Sequence, residues 1–224
     1  MSNAPSRRRS FLKSTLAAAG AAALARRAQA APDAGAPAKA PRIKFSVIGV
    51  NHAHVHRQIE AVIRGGGQFV SFFAREPDLA EPFAKRYPQA KQARSEKEIL
   101  ESDVQLVASA AIPSERAPLG IQVMKHGKDF MVDKPGVTSF DQLQAVKQVQ
   151  AETGRIFSVD FTERFEVKAT TRASELVNAG AIGRVIHTCA LGPHRLNRHL
   201  RPEWFFRREA YGGILVDIGS HQFD

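Results

Sequence analysis

The sequence predicts an α/β protein built on a doubly wound parallel sheet, and three observations carry that prediction. Short apolar runs suited to buried strands recur along the body of the chain, at 44–50, 69–73, 104–109, 129–132 and 156–160. Amphipathic helical stretches lie between them, opened by capping residues or closed by glycines. Strand alternating with helix at this spacing implies parallel strands with helices on both faces.

The elements follow in order. KFSVIGV (44–50) is a buried strand, and the helix after it runs from about His54 to Arg64. Val55, Ile59, Val62 and Ile63 share one side of that helix, which stops at Gly65-Gly66-Gly67. FVSFF (69–73) is the second strand and Leu79–Tyr87 the second helix. Ser95-Glu96-Lys97-Glu98 is a capping box that opens a third helix before VQLVAS (104–109). Ser114–His126 carries Leu119, Ile121, Val123 and Met124, with Gly127 as its stop. DFMV (129–132) follows, then a helix opened by Ser139-x-x-Gln142 and closed by Gly154, then IFSVD (156–160). Beyond Thr162 the pattern changes. Ala169–Asn178 reads as a helix, GRVIHTCALG (183–192) as a strand, and 193–211 as an Arg-, Pro- and aromatic-rich segment. GGILVDIGSHQFD then runs to Asp224 in mid-pattern.

The net charge of +10 invites a nucleic-acid reading, but its distribution opposes one. Residues 1–42 hold eight Lys/Arg and one acid, leaving 24 basic against 21 acidic residues in the body. That body lacks the dense basic stripe on which counterion release depends. The leader explains the rest. Arg8-Arg9-Ser10-Phe11-Leu12-Lys13 resembles a twin-arginine export signal, followed by a mild apolar stretch and Ala28-Gln29-Ala30 as a cleavage site. The apolar stretch is too short to span a hydrocarbon core of about 30 Å, so no stable membrane anchor is expected. Residues 1–30 are thus the expected signal peptide, 31–42 a Pro/Ala linker, and export is expected. Cys189 is the single cysteine, which excludes an intrachain disulfide and suits a buried position.

The stretch VIGVNHAHVH (47–56) admits two chemistries. His-x-His at a strand end can hold a metal ion, with Asp160 and His126 as the further ligands the chain offers. A glycine turn after the first strand can instead begin a phosphate-binding loop.

Three later segments decide between these. Asp133-Lys134-Pro135 after a strand, AGAIGRV (179–185) and GGILVDIGSHQFD (212–224) stand in one order and spacing. Together they resemble the Gfo/Idh/MocA oxidoreductases, from about Arg42 to Asp224. The resemblance implies a nicotinamide-binding Rossmann domain over 43–161 and the first part of an open-faced α+β sheet domain over 162–224. It favours the phosphate loop, with no metal. Gly49-Val50-Asn51-His52-Ala53-His54 then stands where the family has G-x-G-x-x-G, with only the first glycine kept. Asn51 is suited to a left-handed backbone there, and His54 to a phosphate oxygen or to a wider helix–strand spacing. The acid that normally ends the second strand falls on Ala74, with Arg75 next, which suits NADP over NAD. Ile112 and Pro113 would lie along the nicotinamide, and Asp133 belongs to the same cofactor-contacting motif.

The resemblance gives Lys134 a place beside the nicotinamide and the substrate hydroxyl, where a cation stabilises a developing alkoxide. Asp217 and His221, four apart, share a helical face; His221 takes the hydroxyl proton while Asp217 orients or shares it. Arg164 matches a family position near the domain junction, and His194, Arg195 and His199 form a polar cluster that reads as surface residues first and as substrate contacts second. The expected protein is an exported NAD(P)-dependent oxidoreductase of a sugar or polyol-like alcohol, oligomeric in its full-length form. Redox-neutral glycosidases of the same family are the first rival. The second is a non-catalytic binding module, favoured by the missing loop glycines and opposed by Lys134, Asp217 and His221. The chain offers one strand of a second domain that needs several, so a C-terminally truncated member is expected, with apolar surface around Ile214, Leu215 and Phe223.

Overall fold

The computed structural model describes residues 40–192 and 194–224, without the side chains of Arg164 and Phe165. The expected signal peptide and residues 31–39 of the linker lie outside the described residues. Six strands form one parallel sheet: β1 (Ile43–Ile48), β2 (Gly67–Phe73), β3 (Lys91–Gln92), β4 (Leu106–Ser109), β5 (Asp129–Asp133) and β6 (Phe157–Asp160). Their spatial order is β3-β2-β1-β4-β5-β6. Five crossovers carry the expected helices: α1 (Val55–Arg64), α2 (Pro77–Arg86), α3 (Glu96–Leu100), α4 (Pro113–Lys125) and α5 (Phe140–Thr153). Among the described strands only β3 escaped the sequence; it is two exposed polar residues with no apolar run to betray it.

Strand alternation builds the two faces. Phe45 and Val47 of β1 pack with Val55, Ile59, Phe69 and Phe83 on one side, while Ile48 joins Ile99, Val107, Val123 and Phe130 on the other. A fully buried side chain of this size contributes about 1.5–3 kcal/mol, so the two layers hold the sheet from both sides. Ser95 and Ser139 cap their helices by accepting from Glu98 N (3.3 Å) and Gln142 N (3.2 Å).

Beyond β6 come α6 (Thr162–Glu166), α7 (Lys168–Asn178), two 3-10 turns, α8 (Arg208–Tyr211), a π-helical turn (Leu215–Gly219) and α9 (Ser220–Phe223). The strand expected at 183–192 is absent; the segment is exposed coil, and no described strand pairs with it. A lone extended segment has no lateral partner for its backbone groups, so its β propensity goes unused. Cys189 lies within it and is exposed, which corrects the expected burial. Ile214, Leu215 and Phe223 are exposed as expected.

The strand order reverses between β1 and β4. In an open parallel sheet the crevice outside the carboxyl ends of the strands at that reversal is where ligands bind.

Candidate active site

Gly49 leaves β1 at this crevice with φ +81°, and a Cβ there would lie 2.6 Å from Ala111 Cβ. Both the left-handed backbone and the close approach of the β4 loop demand glycine. Next to it opens a cleft of about 290 Å³ lined by Gly49, Asn51, Phe73, Arg75, Glu76 and Ala111, among others. Asn51 is not left-handed, contrary to expectation. Its side-chain amide instead donates to Glu76 Oε1 at 3.0 Å, tying the β1 loop to the β2 loop. Glu76 also corrects the expected loss of a carboxylate after β2. Ala74 is buried, and the acid stands two residues later, in the cleft. Arg75 is mostly exposed and contacts Glu96 (3.2 Å) and Glu115 (3.8 Å). Pro113 occupies the first turn of α4 with Ile112 as its N-cap; of this loop it is Ala111 that lines the cleft.

A second centre forms around Asp133 at the end of β5. His52 Nδ1 lies 2.9 Å from Asp133 Oδ2 and His54 Nδ1 2.9 Å from Oδ1. Arg116 Nη2 donates to Oδ2 at 3.0 Å. Burial alone would raise the Asp133 pKa, but the two imidazole hydrogen bonds and the Arg116 charge override it and hold the carboxyl well below the usual range. An ionised carboxylate only accepts, so both Nδ1 atoms carry protons. Burial lowers the His52 pKa, against the pull of Asp133. The rings of His52 and His54 stand edge to face at 4.1 Å, and Trp204 packs edge-on against His52 at 6.3 Å. His56, the third of the alternating histidines, turns away: its Nδ1 meets Tyr87 Oη at 2.9 Å and its ring stacks on Phe83. Val50, behind the loop, is core.

Arg116 is the residue that sequence reading missed. It is 1% exposed. Its Nε donates to Ala111 O at 2.7 Å, and its Nη1 to the carbonyls of Asp133 (2.9 Å), Lys134 (2.7 Å) and Pro135 (3.1 Å). A signal was available: Arg116, Leu119, Gly120 and Val123 share the buried stripe of α4, where a lone charge needs a reason.

Lys134 is buried, with Nζ donating to Asp217 Oδ1 at 2.9 Å and Asp217 O at 3.1 Å. Asp217 Oδ2 is buried without a partner. The π-helical turn thus delivers Asp217 to Lys134, a pairing the sequence reading had not drawn. His221 goes elsewhere: Nδ1 sits 3.0 Å from Glu163 Oε2 without hydrogen-bond alignment, and the ring meets Phe161 edge-on. His194, Arg195 and His199 are exposed.

Asp160, in register with Asp133 on β6, is pushed up to about 6 by burial, with the Asp133 and Glu166 charges adding to it. A raised acid costs the fold stability once it ionises. The cost begins as pH rises through the unfolded value of 3.8 and is complete above about 6. Asp160→Asn should therefore raise the thermal midpoint at pH 7.5, with the gain fading as pH falls toward 4. A gain equal at both pH values would refute this account.

Comparison with known proteins bears on all of this. Residues 43–161 match the family described as an oxidoreductase family with an NAD-binding Rossmann fold, and residues 170–224 match the GFO/IDH/MocA C-terminal domain. A solved structure from Erwinia carotovora atroseptica SCRI1043 superposes with TM-score 0.78 at 41% identity, covering 81% of this chain and 54% of that one. The scyllo-inositol 2-dehydrogenase (NAD(+)) of Bacillus subtilis (strain 168) is 27% identical over 146 residues, 65% of this chain and 41% of that protein. A levoglucosan dehydrogenase solved with NADH and levoglucosan shares the fold, with TM-score 0.64 at 20% identity over 80% of this chain and 51% of that one. The chain spans about half the length of the relatives it matches. Its sheet order, its cleft at the strand reversal and these matches agree: the chain belongs to the Gfo/Idh/MocA oxidoreductases and carries their NAD-binding Rossmann domain.

Proposed function

We propose that this chain serves a nicotinamide-dependent oxidoreductase that moves hydride between a sugar or polyol-like alcohol and the cofactor. The observation that carries the reading is the buried Lys134–Asp217 pair at the carboxyl end of β5, in the same crevice region as the Gly49 cleft. The fit to a dinucleotide is supported by Gly49, where any Cβ would close the approach to Ala111, and by the start of α1 just beyond, whose dipole favours a phosphate. Gly49, Asn51 and Ala111 would hold the pyrophosphate side, with Glu76 and Arg75 at the adenosine end. The nicotinamide supplies a hydride acceptor or donor. The chain supplies the charge: the Lys134 ammonium stabilises negative charge developing on the substrate oxygen. Asp217 holds that ammonium in place and keeps it aimed. His221 stays in the proposal as the proton carrier, drawn from Glu163 when substrate is present. The sugar or polyol class is supported by the relatives' names.

Cofactor choice turns on Arg75 against Glu76. A 2′-phosphate could capture the exposed Arg75, whose surface pairs are worth only about 0–1 kcal/mol. It would then face three carboxylates, Glu76, Glu96 and Glu115, whereas a free ribose can donate its hydroxyls to Glu76. The cleft charge therefore favours NAD, against the NADP preference that Arg75 alone suggested. Calorimetric titration of the purified chain with NAD+ and NADP+ tests both levels. We expect NAD+ to bind at least about tenfold tighter, a difference of about 1.4 kcal/mol. Tighter NADP+ would restore the Arg75 reading, and no binding of either would remove the function. Export by the twin-arginine route belongs to the same proposal, and Arg8→Lys with Arg9→Lys should retain the protein in the cytoplasm if it holds.

A further inference from the structure

The phosphate-loop reading leaves the two facing histidines unexplained, since one glycine and a helix start suffice to approach a phosphate. His52, His54 and Asp133 each offer a ligand atom, and these atoms lie within 4.8 Å of one another. We infer that the three residues form a binding site for a first-row divalent transition-metal ion. The donor set, two imidazoles and one carboxylate, suits Zn²⁺, Mn²⁺ or Fe²⁺ and leaves coordination positions free.

The geometry is close to what such an ion needs. Each imidazole nitrogen stands 2.9 Å from a carboxylate oxygen. Two ligands bound at right angles with bonds of about 2.1 Å are separated by about that distance. Loading requires each imidazole to present a bare Nδ1 to the ion and carry its ring proton on Nε2, a change of tautomer with small side-chain movements. The carriers are firm: Asp133 ends β5, and His52 N–H is fixed to Ala110 O at 3.0 Å. Gln58, buried on α1, steadies the same point; with its amide oriented so that donors meet acceptors, its oxygen takes Asp133 N–H at 2.8 Å. Access is open on the His54 side, whose side chain is 45% exposed. Arg116 on Oδ2 has two effects. It stands where a supporting donor holds a ligating carboxylate in other metal sites, and it sets a positive charge against the ion. The affinity is therefore weaker than at a structural zinc site. Asp133 precedes Lys134 directly, so the ion would sit beside the proposed reaction centre.

The sequence had weighed a metal here and looked to Asp160 and His126 for further ligands. Neither belongs to the group. The missing ligand was Asp133, hidden inside a motif read for its lysine.

The test uses the full chain without a histidine tag, stripped with chelator and titrated with Co²⁺ and then Zn²⁺. We expect one equivalent of Co²⁺ with visible d–d bands, and one Zn²⁺ retained through gel filtration by mass spectrometry. His54→Gln and His52→Gln should each weaken Co²⁺ binding by about 100-fold, at the upper end of what a supporting residue alone costs. His126→Gln, at an exposed histidine that caps the C-terminal end of α4, should leave it unchanged. X-ray absorption of the zinc-loaded wild type should show imidazole scattering, which keeps the idea testable if a variant misfolds. No retained metal, retention unaffected by His54→Gln, or a zinc shell without imidazole would each overturn the site. Because the readout is metal and not turnover, a failed nucleotide titration leaves this result to be judged by itself.

Discussion

Under the proposed function, replacing Lys134 by methionine should lower turnover on a polyol by about 100–1,000-fold, the usual cost of losing one group that stabilises an oxyanion. The same change should destabilise the fold, because the lysine and Asp217 side chains are only 7% and 6% exposed. Removing one partner of such a pair strands the other charge without water or counter-ion, at about 3–5 kcal/mol. Asp217 Oδ2 already lacks a partner, so the carboxylate has little to fall back on. A loss of activity alone would thus be ambiguous. The double variant Lys134→Met with Asp217→Leu resolves it: an apolar pair of similar volume should recover most of the stability, while turnover stays low. Urea unfolding and steady-state kinetics on the three proteins read the two quantities separately. A folded Lys134→Met that turns over like wild type would remove Lys134 from the chemistry. Recovery of turnover in the double variant would reassign the pair to structure alone.

The reasons why some of this was legible in the sequence are physical. Parallel strands buried on both faces leave continuous apolar runs, so β1, β2, β4, β5 and β6 could be read with ends off by a residue or two. Caps such as Ser95 and Ser139 act on neighbours three residues away and are equally local. The family motifs singled out Lys134 and Asp217 one by one, but their pairing, across 83 residues, came only with the structure. Two of the failures share a cause, which is that the partner came from another strand end. Glu76 is one of three carboxylates around a cleft that no local pattern reveals. The His52–His54–Asp133 cluster joins residues about 80 apart. The segment 183–192 has strand composition, but a strand is made by its neighbours. His221 kept its i+4 spacing from Asp217 and still turned to Glu163, because a π-helical turn rather than a regular helix lies between them.

Arg116→Met should be the most destabilising single change in the molecule's interior that leaves side-chain volume nearly intact. The carbonyls of Ala111, Asp133, Lys134 and Pro135 follow the last ladder residues of β4 and β5 or lie at their end, where strand pairing no longer supplies donors. Buried carbonyls need partners, and the Arg116 guanidinium serves all four while its fifth hydrogen bond neutralises Asp133. Methionine would leave those oxygens unpaired and the carboxylate without its fixed cation, a loss of about 3–5 kcal/mol. Arg116→Lys should recover only a minor part, since an ammonium has three donors around one atom and cannot span the positions a planar fork reaches. The midpoint in urea should fall in both variants with the slope unchanged, as for a loss of stability without a change in the unfolded state. A loss below about 1 kcal/mol in Arg116→Met would mean that water satisfies these carbonyls and that the clamp is dispensable. If the loss is as large as expected, the consequence reaches the site. The same guanidinium fixes the backbone that presents Lys134 and the carboxylate that holds His52 and His54, so the proposed reaction centre and the proposed metal site stand on one buried charge.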